Sequence, residues 1–541
     1  MANISTKPRY LQTISPFRNL PEIPESDHHS RTSRHILTTT IYTKRAQLFT
    51  RGILMAPEHH LSSSTPAHAL NGWPRITQSS PVRDPGPGMD YERCAALHNE
   101  LLTRAVKGCG GEMPPEPLTW WEARAPSEEV ANSLHPSLME FLKRAWDEDV
   151  LPPHYRLFAF LGALKFPHHM RDHMDAYEDE DEEGRFIKLY ESSHYRVADD
   201  EGIFFDQMTL KATFIEDIND TRLITRHQWS WMPLEVILDS YLQMIDEGKA
   251  QAVSEDQAKL LKMDFLYCIM EPWIIHQYTK TDLERATTAF KRLVAAIEVR
   301  IPPTDDPTTP MTLPWHDPAT FENQDLLPPL SFAHEFLKSI SNCTVRFRYI
   351  APGIRFPTVL EFQDQPITDF ATSPHNHLGQ YPGNCPLRIF QVDDAEHRQP
   401  VTYGKHLGLR DIAAGFYIHP VVQQWPQFWS NVCRLLLPFA IGGSGWALMS
   451  NGQPFGITDS DYVDEYPEPR DTHGELYQVG TTNGITNCSR VQIDKVLNNW
   501  ADRVEMGDWE ADGDGVAGGI GRFREADTED HWHRYWIPPS W

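Results

Sequence analysis

Apolar positions recur with a helical period through much of residues 89–300. Leu283, Ala286, Phe290, Leu293, Val294 and Ile297 follow one another at three- and four-residue spacing, which places them on one face of a helix. Thr281 with Glu284 ahead of them reads as a capping box. Leu234, Val236, Ile237, Leu238, Tyr241 and Met244 mark a helix starting near Pro233, and Ser254 with Gln257 opens another that carries Leu260, Leu261, Met263, Phe265 and Leu266. Between these patterns, Gly202–Phe205 and Leu210–Ile215 read as short strands. The pattern predicts a mainly helical region over 89–300.

The pattern changes on both sides of that region. Residues 1–88 have no sustained apolar period, are rich in Ser, Thr, Pro, His and Arg, and end in a run of Pro and Gly, the composition of a disordered leader. Residues 301–330 hold Pro302, Pro303, Pro307, Pro310, Pro314, Pro318, Pro328 and Pro329, which break helix and central strand alike and predict a linker. From 331 to 541 the signals are mixed. Thr344–Ile350 alternates as a strand does, Trp425–Ile441 reads as a buried helix, and Val491–Met506 reads as an amphipathic one. The predicted fold class is α+β: a leader, a mainly helical region, a proline-rich linker and a mixed, Trp-rich region.

Composition narrows the partners. The 541 residues carry a formal net charge of -26, which repels phosphate backbones and anionic lipid, so neither nucleic acid nor a membrane surface is expected, and a protein partner or a small molecule is. Residues 1–88 run against this trend with ten Lys or Arg and five acids. The acid-free stretch His28–Met55 has the composition of a mitochondrial presequence, an alternative to the cytoplasmic location otherwise expected, and Met89 is an alternative translation start. Seven scattered cysteines without a CxxC pair predict reduced thiols and an intracellular compartment. No apolar run approaches the ~20 residues that span a bilayer.

Three segments resemble a large, lineage-restricted group of filamentous-fungal proteins with no assigned activity. They are Trp231-Met232-Pro233-Leu234-Glu235 leading to a helix that ends in Gly248-Lys249, His419-Pro420 followed by Trp425-Pro426-Gln427-Phe428-Trp429, and the ending Asp514–Ile520 with Glu525–Trp532. The resemblance covers most of the chain from Met89 onward and carries no catalytic residue with it.

Several fragments have the residue types of chemical sites. In Pro167–Asp175, His169 and His173 lie four apart, one face of a helix, while His173 and Asp175 match the front half of a two-His, one-carboxylate triad with His194 or His227 as a distant third ligand. His169, His173 and Asp175 are therefore the candidate metal ligands, although a polar helix running into the acidic run Glu178–Glu183 explains the same residues. His473-Gly474-Glu475 and His375-Asn376-His377 are shorter matches in loop-like sequence. Gly442-Gly443-Ser444-Gly445-Trp446 has the glycines of a phosphate loop without its Lys, and reads as a helix terminus leading into a strand. Glu510–Gly515 has the alternating carboxylates of a calcium loop, but Gly521 stands where the bidentate Glu belongs, so an Asx-type turn joining two terminal helices accounts for it. The aromatic set Trp425, Trp429, Trp446, Trp500, Trp509, Trp532, Trp536 and Trp541 is expected to pack the second core.

No nucleophile, base and orienting residue assemble from these motifs. The expected function is an intracellular interaction or scaffold role without catalysis; the alternative is a metal-dependent enzyme, such as a non-haem iron oxygenase, acting on a small organic substrate.

Overall fold

The computed structural model describes residues 75–538 except 78, 84–87, 154, 173, 175–183, 193–201, 216–222, 224–230, 258–267, 271, 304–309, 324–325, 366–386, 394–397, 403–408, 419–429, 456–473, 479–484 and 486–490. The fold is α+β, built on two hydrophobic cores. In the first, Asp90 accepts from the Arg93 N–H and starts α1 (Tyr91–Gly108), which buries Cys94, Leu97, Leu101, Leu102 and Ala105. The helix α2 (Pro136–Leu142) lies against it. Four antiparallel strands, β1 (Leu161–Leu164), β2 (Phe186–Ser192), β3 (Gly202–Asp206) and β4 (Lys211–Ile215), form a sheet in sequence order.

Successive side chains of that sheet point to opposite faces. Ile187, Leu189, Ile203 and Phe205 join the first core, while Phe186 and Phe204 meet Met174, Leu223 and Trp231 in a small cluster on the other side. Met232 pairs with Ala212 and hands the chain to α3 (Leu234–Asp246), which starts after Pro233 as its sequence predicts. A small sheet of β5 (Ala250–Ala252), β6 (Cys268–Met270) and β7 (Trp273–Ile275), with β7 central, completes the layer.

The second core opens with α4 (Lys280–Arg300) and α5 (Phe332–Ile340). Its strands are β8 (Tyr349–Ala351), β9 (Ile354–Arg355), β10 (Leu387–Val392), the separate ribbon β11 (Arg398–Thr402) with β12 (Leu409–Ala413), then β13 (Gly415–Ile418) and β14 (Cys433–Leu436). After α6 (Ile493–Glu505) comes the hairpin of β15 (Ala511–Asp512) and β16 (Gly515–Val516). Seven strands share one sheet in the order β14-β13-β10-β9-β8-β16-β15. The helices α4 and α6 run in the same direction and pack together: Arg292 bonds Asn498 and Asp502, and Arg300 bonds the Glu505 carbonyl. Trp500 of α6 meets Phe416 of β13 edge-on, with ring centroids 5.2 Å apart.

Several expectations change here. The apolar face of α4 is the predicted one, but its capping box is Thr279 with Asp282, two residues earlier than Thr281 with Glu284. The reason is burial: Asp282 is drawn inward, whereas Thr281 and Glu284 are exposed. Thr279→Ala is expected to cost about 1 kcal/mol and Thr281→Ala under ~0.5 kcal/mol in paired urea melts. The same helix packs in the second core, so the break at residue 300 falls inside that core, not before it. Nor are residues 301–330 a free spacer, because Leu313, Trp315 and Leu327 have no exposed surface.

The predicted helix over Trp425–Ile441 is replaced, where described, by β14, buried along its whole length between β13 and the 474–476 segment. A short apolar run has no period to distinguish the two. In Thr344–Ile350 the alternation is real, with Val345 and Phe347 buried and Arg346 and Arg348 exposed, but the ladder begins only at Tyr349. The helix opened by Ser254 and Gln257 shows its reciprocal cap, and its apolar residues 260–266 lie outside the described residues. Of the leader, 1–74 lies outside them too. The described part is docked: Arg75 pairs with Asp239 and Asp246 of α3, and Arg93 donates to Ser80 Oγ and the Pro81 carbonyl, each at 2.9 Å.

Candidate functional site

Where the two cores meet, one lysine is fully enclosed. The end of α3 closes as a Schellman turn: Gly248, at φ 75°, donates to the Ile245 carbonyl and Lys249 to that of Met244. This turn sends Lys249 inward. Its Nζ lies 2.7 Å from Asp282 Oδ2 in the first turn of α4 and donates to Asn431 Oδ1 at 3.2 Å. Asp282 is itself fixed, accepting from Thr279 N–H at 2.6 Å and Thr279 Oγ1 at 3.0 Å. Asn431 in turn receives the Ile493 N–H at 3.0 Å, which brings the start of α6 to the same point. Burial lowers the lysine's pKa, and the charges of Asp282, Glu247 and Asp494 oppose that shift. Beside the cluster, Gln492 is buried and its Nε2 meets no acceptor among the described residues.

A buried lysine with a lowered pKa next to a carboxylate has the chemistry of a base or an imine-forming amine. The enclosure of Lys249 sets the limit, since its side chain has no exposed surface. Its contacts tie the end of α3, the start of α4, the segment before β14 and the start of α6 into one junction.

A second polar cluster lies inside the first core. His98 Nε2 meets the Trp146 carbonyl and Nδ1 meets the Tyr190 hydroxyl, both at 2.9 Å. A carbonyl only accepts, so the network assigns the proton to Nε2 and makes Tyr190 the donor to Nδ1. Burial lowers the His98 pKa to about 4, so its 3.7 Å approach to Glu148 is a contact with a neutral ring and not an ion pair. Glu148 Oε1 accepts the Leu164 N–H at 2.9 Å, while Oε2 is buried with no hydrogen-bond partner. Burial pushes the Glu148 carboxyl up to about 8. One turn before His98, the Cys94 thiol donates to Glu235 Oε2 at 3.6 Å. Burial, reinforced by the Glu235 and Asp90 charges, raises the thiol's pKa, which keeps it protonated and poorly nucleophilic.

The residues singled out from the sequence are placed differently. His169 sits on a single 3-10 turn, Pro167–His169, and not on an α-helix. It is half-exposed, and its Nδ1 bonds the Asp172 carboxylate. His173, Asp175, His194 and His227 lie outside the described residues, as do His375, Asn376, His377 and His473. Glu475 is paired with buried Arg434 at 3.3 Å. In the Glu510–Gly515 run, Asp512 Oδ1 accepts the Asp514 N–H at 2.9 Å, an Asx turn that joins β15 to β16 instead of two helices. Trp500 donates to Tyr477 Oη at 2.9 Å and packs with buried Trp509; Trp425, Trp429 and Trp541 lie outside the described residues.

No family model, no curated protein and no solved structure matches the chain. The junction around Lys249 therefore has to be read from its own chemistry. Sequence reasoning passed over it, because a lysine after a helix-ending Gly is ordinary surface material. Its only local signal was the Gly248-Lys249 pair at the close of α3.

Proposed function

We propose that this is an intracellular, cytoplasmic protein that works by binding another protein and performs no catalysis. The observation that supports this reading best is the use made of Lys249, an enclosed amine beside a carboxylate. Both partners of its Nζ named above belong to the chain itself and join separate elements across the two cores. His98 and Cys94 are spent in the same way, on internal contacts. The net charge of -26 favours a neutral or basic protein partner over nucleic acid or an anionic membrane. Among the described residues no helix is long and apolar enough to cross a membrane. Native purification from the source cell is expected to yield a stoichiometric protein partner; a solitary monomer at native concentration overturns the reading.

A metal-dependent enzyme, such as a non-haem iron oxygenase acting on a small organic substrate, is the second reading, on His169, His173 and Asp175. The observation that favours it is the His169–Asp172 bond, because a ligating imidazole commonly holds one nitrogen on a carboxylate and turns the other to the metal. Stoichiometric iron or zinc in the native protein, lost in His173→Ala with the fold intact, would establish it. Native protein without such metal discards it.

A further inference from the structure

The Gly442-Gly443-Ser444-Gly445-Trp446 run neither ends a helix nor opens a regular strand. Four backbone N–H groups of this turn converge on one carboxylate: Gly442 at 3.1 Å and Ser444 at 2.8 Å on Asp527 Oδ2, Trp446 at 2.8 Å and Ala447 at 2.9 Å on Oδ1. Gly442 and Gly445 make this possible by adopting φ 109° and 71°, which side-chain-bearing residues seldom do, and Gly445 N–H closes the turn on the Gly442 carbonyl at 3.0 Å. Successive N–H groups lining a concave turn are the donor array that proteins use for anions. Here each carboxylate oxygen receives two of them.

The carboxylate arrives from the 3-10 helix Ile520–Asp527 near the end of the chain. Two more contacts lay residues 524–536 along 439–449: the Arg524 guanidinium stands 3.7 Å from the Phe439 ring centroid, and Trp536 Nε1 donates to the Met449 carbonyl at 2.9 Å. Gly443 and Ser444 are exposed while Ala447 packs in the second core, so the turn stands at the edge of that core with its tip at the surface.

We propose that 442–447 is an oxyanion-binding loop which the C-terminal segment closes with its own Asp527, and that the carboxylate or phosphate monoester of an outside ligand occupies it when Asp527 withdraws. Four neutral donors around two oxygens suit either group, and neither requires the lysine that phosphate loops carry. This rests on the loop's geometry alone and stands or falls independently of the protein-binding role.

The test is thermal unfolding of the full chain, wild type and Asp527→Ala, in chloride, acetate and inorganic phosphate at equal ionic strength. An anion that binds only the folded state raises its Tm. Asp527→Ala is expected to melt lower than wild type in chloride and to regain several degrees in phosphate or acetate, while the wild type, already filled, moves by about one degree or less. Recovery in acetate assigns the loop to carboxylate ligands, and recovery in phosphate alone assigns it to phosphate monoesters. Equal shifts in both proteins, or none in Asp527→Ala, overturn the proposal. So does an Asp527→Ala chain that fails to fold even in phosphate, because the loop then holds no anion but its own; Asp527→Asn, of the same shape, is run in parallel and is expected to show a smaller recovery.

Discussion

Between pH 6.5 and pH 8 the wild-type protein is expected to lose stability relative to Glu148→Gln, by up to ~1.4 kcal/mol per pH unit and about 1.6 kcal/mol over the window. The cause is the buried carboxyl beside His98. Its pKa rises from 4.5 to about 8 on folding, so the stability it contributes is fully present below 4.5 and is lost as pH climbs through 8. His98 works in the opposite sense. Its pKa falls from 6.5 to about 4, so its contribution is present above 6.5 and is lost as pH drops through 4. The two slopes oppose each other between 4.5 and 6.5, and above 6.5 the Glu148 slope stands alone.

After burial, the Leu164 N–H lowers the Glu148 pKa; of the charged groups, Asp147 raises it further and Arg124 lowers it. Gln at 148 keeps an acceptor for the Leu164 N–H but cannot ionise. Any background slope from the acidic chain as a whole is shared by both proteins and cancels in the difference. Urea melts at half-unit intervals of pH read it directly. Parallel curves for the two proteins would show that Glu148 ionises freely in the fold.

The second large effect belongs to the junction. Asp282→Ala is expected to cost about 3–5 kcal/mol, because it strands the enclosed Lys249 charge, with about 1 kcal/mol more for the lost cap of α4. Lys249→Met should cost less, about 1–3 kcal/mol, since Asp282 still holds the Thr279 N–H and hydroxyl. The double variant Lys249→Met/Asp282→Asn removes both charges and leaves neither unpaired, so it should be more stable than Asp282→Ala alone. The coupling is read from a double-mutant cycle in urea over Lys249→Met, Asp282→Asn and their double. If these two substitutions add independently, Lys249 and Asp282 do not form the pair that joins the cores.

Much of the local structure was legible from the residues. The face of α4, the start of α3 at Pro233, the strands at 202–206 and 211–215, and α6 within Val491–Met506 all follow from periodicity and caps, which depend on neighbours three or four positions away. The candidate sites were far less legible. Lys249, Asp282, Asn431 and Gln492 are spread over more than 240 positions, and no spacing rule links them. The same holds for His98 with Tyr190, and for Gly442–Ala447 with Asp527.

What the sequence alone determined is the α+β class, the helical faces and the acidic character, because each is set by composition or by short-range pattern. Tertiary structure decided the rest. Trp315 buries its indole, so a proline-rich stretch that cannot form helix or central strand still packs into a core. The apolar run at 433–436 is a strand because β13 offers its free edge. The cap of α4 falls on Asp282 and not Glu284 because Lys249, thirty-three positions earlier, is enclosed beside it. In each case the deciding partner is distant in sequence, and a buried side chain is fixed by whichever neighbour folding brings to it.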